Sequence, residues 1–306
     1  MPELTTTRVR APFDLELAVF GHGWISLAPH RWEDGRWHTT LTTPAGVVDL
    51  TTWQSGATLK IAVDADFVVD TDTRRFVRRS VRHMLRVDED LTTFWRMCER
   101  TPRLRWVARR GAGRLMRSPT VFEDLMKLLF TTNCSWSATR SMTANLVDAL
   151  GPASPSGRRA FPSAARCARR RADFFRDTVR AGYRARSCVE LAHRSHAGLI
   201  DKTISDAAAS DVATLRRQLM QLRGFGPYAA GQALRLLGRY DDLALDSWCR
   251  ARLAQRSARG VAPSDATIER RYARFGRYKG LALWMDLTAS WHDEGDAGRV
   301  SLLGEH

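Results

Sequence analysis

The chain has 306 residues and carries 48 Lys+Arg against 33 Asp+Glu, a formal charge of +15. With 44% hydrophobic and 26% charged residues the composition is globular, which excludes a disordered or collagen-like chain and leads us to expect about two domains. No run approaches the ~18 apolar residues of a membrane span, and the start MPELTTTRVRAPF lacks the apolar core of a secretory signal, so a cytoplasmic protein without membrane contact is expected. Cys98, Cys134, Cys167, Cys188 and Cys249 are widely spaced with no C-x-x-C pair. That pattern argues against a disulfide framework, a zinc knuckle and a cysteine-bound iron–sulfur cluster. The positive excess is mostly arginine. It fits either an arginine-rich coding bias or a polyanionic partner whose phosphates the arginines neutralise.

Residues 13–66 read as strands. Trp37, Thr39 and Leu41 share one face, Leu59, Ile61 and Val63 alternate with polar neighbours, and Glu33-Asp34-Gly35, Pro44-Ala45-Gly46 and Ser55-Gly56 mark turns. After Asp70 the period becomes helical. Phe76, Val81, Met84 and Leu85 predict one helix; Leu91, Phe94, Trp95 and Cys98 predict another that starts near Asp88 or Asp90. Residues 109–114 read as a basic, glycine-containing connector. Ser118 then looks like an N-cap with Pro119 at the first helical position, opening a helix over 120–130. A further helix is expected over 135–150, a loop over 151–157, and helices to about His292, broken at Gly182, at 224–226 and at 259–263. The fold class is therefore α+β: a small antiparallel β-rich domain over 1–70, an all-helical core over 71–294 and a tail over 295–306.

Residues 219–234 read as a helix, a tight turn with two glycines, and a second helix. Gly224 and Gly226 can take positive φ and admit another backbone closely. The second helix begins just after them, so its free N–H groups and positive dipole end make a phosphate site; Pro227 suits the first turn, where its missing N–H is not needed. A plain helical hairpin with glycine at its turn explains the same residues. Eighteen residues after Tyr228 comes Asp246, directly after the apolar run 243–245 and before a new helical start. Taken alone, such an aspartate is an N-cap.

Taken together, the hairpin L-x-G-x-G at 222–226 and Asp246 resemble the helix-hairpin-helix, Gly/Pro-rich loop, Asp superfamily of DNA glycosylases. Four further stretches carry the resemblance toward the 3-methyladenine and 8-oxoguanine branch. Phe161-Pro162-Ser163 and 181–186 (AGYRAR) resemble that branch's F-P-S and G-Y-R-A-R segments. Residues 275–282 (FGRYKGLA) are similar to the start of its final helix, and 129–135 (LFTTNCS) to the junction that inserts a residue into the duplex. The N-terminal strands resemble the β-domain of the same branch.

The resemblance implies a glycosylase acting on a damaged or modified base in duplex DNA, opening base-excision repair. It assigns the catalytic carboxylate to Asp246, consistent with the chemistry. An oxocarbenium-like sugar needs a nearby anion, and a water nucleophile needs a base. Bifunctional relatives place a Schiff-base lysine two residues after the second hairpin glycine; here that position is Tyr228, a phenol that forms no imine, so a monofunctional enzyme without a lyase step is expected. An aromatic at this position stacks on the flipped base in 3-methyladenine enzymes, which favours an alkylated, cationic purine; packing on a neighbouring helix is the other role open to Tyr228. Asn133 matches the polar plug that fills the space of the extruded base, or caps the helix that follows it. Arg223, with the Gly224 and Gly226 amides, would hold a phosphate, and Lys279 is assigned a second phosphate contact.

The carbonyls of Met220, Leu222 and Phe225 match those that bind a monovalent cation in the family; no other cofactor is implied. Gln232, Leu283 and Leu287 fall at base-pocket positions, where they depart from the residues of the 8-oxoguanine enzymes. His22, Trp24 and Trp53, with Trp136, Trp248, Trp284 and Trp291, are read first as core aromatics. The protein is expected to be a nucleoid-associated monomer. A glycosylase for an oxidised, deaminated or otherwise modified base is the alternative enzyme. A hairpin protein that senses damage without cleaving is the alternative outside enzymes.

Overall fold

The computed structural model describes residues 3–208, 211–257 and 260–292. Strand β1 (Glu3–Arg8) opens the chain with three consecutive threonines, a β-branched run suited to an edge. Helix α1 (Leu15–Val19) follows, with Asp14 accepting from the Leu17 amide as its N-cap, and Gly23–Ser26 forms a 3-10 turn. Strands β2 (Arg31–Glu33), β3 (Arg36–Thr42), β4 (Val47–Ser55) and β5 (Thr58–Asp64) complete one antiparallel sheet in the order β1-β5-β4-β3-β2. Trp37, Thr39 and Leu41 are buried on one face, and Leu59, Ile61 and Val63 are buried completely, as their alternation predicts.

Residues 15–26 correct the expectation of strands from residue 13 onward. Leu15–Val19 is an α-helix and Gly23–Ser26 a 3-10 turn, because the apolar side chains of this segment enter different cores rather than one face of the sheet. Leu15, Val19 and Phe20 enter a core under the sheet, Leu17 a helical core, and Trp24 another helical core. This segment is thus the junction of three apolar clusters.

The helices follow in order. Helix α2 (Thr71–Met84) is capped by Asp70, which accepts from the Thr73 amide. Helix α3 (Thr92–Glu99) has Asp90 accepting from the Thr92 amide at its start. Helix α4 (Arg105–Arg110) was not expected; Arg109 and Arg110, read as connector, form its last turn, where cations complement the carbonyl end. Helix α5 (Val121–Thr131) is capped by Thr120 rather than Ser118, whose amide instead donates to Asp124. Then come α6 (Trp136–Leu150), α7 (Ala164–Ala168), a π turn at Phe174–Thr178, α8 (Ala185–His196) and α9 (Leu199–Ala208). The chain continues with α10 (Val212–Met220), α11 (Pro227–Leu236), α12 (Ser247–Gln255), α13 (Asp265–Tyr272) and α14 (Lys279–Leu287). The tail over 295–306 and Arg259 lie outside the described residues.

Three cores result. The sheet, α1 and α2 share one; α5, α6, α8, α10 and α11 share the second; α3, α4, α12, α13 and α14 share the third. The chain between α11 and α12 crosses from the second core to the third: Ala233 and Leu234 belong to one, Leu243 and Cys249 to the other. Asp246 lies on that crossing.

Candidate active site

The hairpin forms as its residue types require. Helix α10 ends at Met220, Leu222 and Phe225 turn inward and are 5% exposed, and α11 starts at Pro227. Gly224 has φ +87°, and a Cβ there would come within 2.7 Å of Leu129 on α5 and 3.0 Å of Ser187 on α8. A side chain at 224 would therefore lift the turn off its supports. Gly226 differs from expectation: its φ of −91° is ordinary, and open space faces it, so here glycine serves exposure rather than a special dihedral. Gly224, Gly226 and Arg223 are all exposed, leaving the α11 N-terminus and a guanidinium open to solvent.

Asp246 is the N-cap of α12: its Oδ1 accepts from the Cys249 amide at 2.6 Å. The mundane role expected of a lone aspartate is therefore real, and it orients the carboxylate. Asp246 is part-exposed and forms no ion pair with a described residue. The approach to it is held tightly. Ala244 has φ +49°, a strained value for a residue with a Cβ; its amide donates to Asp242 Oδ1 at 2.6 Å, and Asp242 also pairs with Arg216 of α10 at 2.8 Å. The Gly280 amide, at the start of α14, donates to the Tyr240 carbonyl at 2.8 Å.

Tyr228, Gln232 and Arg235 occupy one face of α11 at helical spacing. The negative charge of Asp246 acts on two of them, raising Tyr228 and opposing the loss of charge on Arg235. Burial pushes the Tyr228 phenol up to about 12, so it is neutral, and its OH lies 3.4 Å from Thr131 Oγ1 at the end of α5. Arg235 is 1% exposed: it donates to Gln232 Oε1 at 2.7 Å and to the Leu243 carbonyl at 3.1 Å, and its guanidinium lies 4.6 Å over the Trp284 ring. Its Nε has no acceptor among the described residues. Arg235 is not among the residues expected at the site; its one signal in the sequence is an arginine at helical spacing from Tyr228 and Gln232. Burial pushes the Cys249 thiol up to about 12, so it too stays protonated beside Asp246.

Trp284 links this face to an aromatic run. It stacks on His22 at 5.5 Å and lies 5.8 Å from Trp248 and 5.5 Å from Trp291, while His22 meets Trp24 edge-on and Trp24 stacks on Trp136 at 6.5 Å. Trp53 is elsewhere, on β4 under the Arg36 guanidinium.

Three assignments change. Leu283 and Leu287 are completely buried in the third core among Leu281, Ala282 and Phe275; the next position round the helix, Trp284, turns toward α11 instead. The Lys279 ammonium is committed to Glu269 of α13 at 2.5 Å, so a phosphate would have to displace that carboxylate. Asn133 does not cap α6, since Ser135 does so through the Ala138 amide. Asn133 stands exposed with φ +47°, and its side-chain amide lies 3.4 Å from the hydroxyl of Tyr183, which is itself 69% exposed. Arg184 braces this loop through the Thr132 carbonyl and hydroxyl and lies 4.4 Å over the Tyr183 ring. An exposed polar tip and an exposed aromatic thus sit together on the same end of α5 that meets the hairpin.

No protein-family model and no curated protein sequence matches the chain. Solved structures do. The 3-methyladenine DNA glycosylase of Archaeoglobus fulgidus superposes with a TM-score of 0.71 at 19% identity, covering 92% of this chain and 98% of that one. The 8-oxoguanine glycosylase/lyase of Clostridium acetobutylicum without DNA gives 0.69 at 16% identity, covering 94% and 98%. The same enzyme on duplex DNA with cytosine opposite 8-oxoguanine gives 0.61 at 15% identity, covering 86% and 98%. The chain has the helix-hairpin-helix glycosylase fold. The β-domain and the hairpin core of that fold are both present, and no helix among the described residues is long and apolar enough to cross a membrane.

Two buried histidines of this glycosylase fold carry a pH prediction. Burial, then the charge of Arg235, pushes His22 down to about 3; burial, then Arg110, pushes His292 down to about 4. In the unfolded chain both return to about 6.5. Between those limits the unfolded state binds more protons, so stability rises with pH from about 4 to 6.5 and is lost as pH falls. Urea unfolding at pH 5 and 7 should differ by roughly 1.4 kcal/mol per pH unit for each histidine within its window. The difference should shrink in His22→Gln; an equal pH dependence in that variant would refute His22 as a source.

Proposed function

We propose that the protein is a monofunctional DNA glycosylase that hydrolyses the N-glycosidic bond of a damaged or modified base in duplex DNA. The observation that carries this reading is Asp246, a part-exposed carboxylate with no ion-pair partner among the described residues, held by the Cys249 amide as the N-cap of α12 and near enough to Tyr228 and Arg235 for its charge to act on both. The exposed hairpin amides and Arg223 would grip a phosphate of the strand, and Asn133 with Tyr183 would fill the gap left by the extruded nucleotide. As the C1′–N bond lengthens, its electron pair leaves with the base and Asp246 stabilises the positive sugar. Water then bonds to C1′ and gives its proton to Asp246, leaving an abasic sugar. The Met220, Leu222 and Phe225 carbonyls are hard oxygen donors of the type an alkali cation takes. Leu222 O already accepts from the Phe225 amide at 3.0 Å, so only its second lone pair is available. Such an ion would brace the turn and take no part in bond cleavage.

Water rather than an amine is the nucleophile because of where the lysines are. Besides Tyr228 standing at the Schiff-base position, Lys127 is completely buried against Glu123 at 2.6 Å and Lys279 is paired with Glu269. Lys60 belongs to β5 and Lys202 to α9. Borohydride added during a reaction should therefore trap no covalent protein–DNA adduct; a trapped adduct would restore the lyase reading.

The substrate proposed is an alkylated purine, whose positive charge suits an aromatic face such as Tyr228. A neutral oxidised or otherwise modified base is the second reading. Arg235 favours it, since a buried guanidinium on the Tyr228 and Gln232 face opposes an incoming cation. Mass spectrometry of the bases released from alkylated, oxidised and deaminated duplexes decides between them. Release of none, at any damage, would leave the non-catalytic hairpin protein.

A further inference from the structure

Away from the hairpin, seven arginines and two carboxylates line a cavity of about 950 Å³ between β1, α2 and the carbonyl end of α11. Helix α2 supplies most of them. Its sequence sets Arg74, Arg78 and Arg82 in one row and Arg75 and Arg79 in the next, each step a rise of about 6 Å. Asp72, Asp88 and Glu89 pair with Arg75, Arg82 and Arg86. Arg8, Arg78, Arg79 and Arg117 have no carboxylate partner among the described residues. The field of this cluster is visible in its own members. Arg117 is pushed down to about 10 by burial and by Arg86, and His83 down to about 4 by burial, Arg117 and Arg86. An anion in the groove would relieve both.

The position is as informative as the charge. Arg86 donates to the Arg235 and Leu236 carbonyls, closing the end of α11 opposite to the hairpin. The two ends of α11 are about 15 Å apart, so a duplex gripped by the Gly224 and Gly226 amides lies at the far end of the helix from these arginines. The lining has no large apolar surface to receive a base: apart from Leu237 and Gly238 it is threonine, charged side chains and one histidine. Rows of guanidinium groups without an apolar pocket suit sequence-independent contact with a phosphodiester backbone.

We propose that this groove is a second DNA site, which holds the backbone of a separate duplex segment while the hairpin holds the first. The proposal rests on the hairpin reading for its first site and on the α2 arginines for its second. One protein molecule then bridges two segments, and both contribute to the salt dependence of binding.

The test uses two undamaged duplexes with donor and acceptor dyes, and the full chain. Wild type should bring them together. Arg75→Ala/Arg78→Ala/Arg79→Ala should abolish the energy transfer, weaken binding at 0.15 M salt on the order of tenfold and flatten the log–log salt slope by about 2 to 3. Its single-turnover excision at saturating enzyme should be unchanged. The matching triple lysine variant keeps the charge and should retain most bridging, which separates loss of the site from loss of the fold. Bridging that survives in the alanine triple, or a wild type that binds one duplex only, overturns the proposal, as does a groove that takes polyglutamate but no second duplex. Arg223→Ala tests the other site by itself: if no variant or wild type releases a base, yet bridging depends on α2, the catalytic reading fails and this one stands.

Discussion

Asp246→Asn is expected to abolish base release while the protein remains folded and bound to DNA. Asparagine is as good an N-cap as aspartate, so its side-chain oxygen keeps the bond from the Cys249 amide and α12 stays in place. What disappears is the negative charge beside the sugar and the proton acceptor for water. Loss of a positioned acid–base group costs about 10²- to 10⁴-fold in rate, and loss of electrostatic stabilisation adds to it. Single-turnover excision on the best substrate of the damage panel should fall by at least that range, with duplex affinity within about threefold of wild type, a change of less than about 0.7 kcal/mol. A variant that excises normally would remove Asp246 from the mechanism and, with it, the reading of the whole site.

Gly280→Ala should damage activity from a position that touches no substrate. A Cβ at 280 would lie 2.0 Å from the Asp242 carbonyl oxygen and 2.8 Å from that of Tyr240. Both obstacles are backbone, so no side chain can swing aside, and the α14 N-terminus must part from the 240–246 segment. The Gly280 amide would lose its bond to Tyr240, and the strained Ala244 turn its support. Overpacking of this kind costs typically 1–3 kcal/mol. A shift of about 1 Å at the carboxylate is enough to cost ~10²-fold in rate. The expected result is a lowered melting temperature together with a fall in kcat that exceeds any change in DNA affinity. If both melting and kcat match wild type, α14 does not clamp the catalytic loop.

The two variants act on one object by different routes, one by chemistry and one by placement. In the proposed mechanism the carboxylate is placed by the segment that leads to it, which α10 holds through Arg216 and α14 through Gly280. Arg235 meets the same segment from a buried position: it donates to Gln232 Oε1 and to the Leu243 carbonyl, with the Trp284 ring against its guanidinium.

Much of this was legible in the chain itself, wherever a local rule is strong. Alternation placed Leu59, Ile61 and Val63 inside the sheet, because a pleat sends every second side chain to the same face. Two glycines and a proline placed the hairpin turn, and an aspartate after an apolar run placed the start of α12, because dihedral limits and orphan amides act within a few residues. The remainder depended on partners distant in sequence. Leu15–Val19 is helical although Leu15, Leu17 and Val19 alternate, because Leu17 enters a different core from Leu15 and Val19. Lys279 meets Glu269, Leu283 and Leu287 turn into the core, and Arg235 turns beneath Trp284 only once α11, α13 and α14 are packed together. The row of α2 arginines becomes one wall of an open groove only where β1 and the end of α11 meet that helix. Local sequence determined the alternating strands β3 and β5, the hairpin turn and the start of α12, since those energies arise between near neighbours. Tertiary packing decided which polar groups are buried, paired or left free to act, since desolvation and Coulomb terms depend on what the rest of the chain brings within a few ångströms.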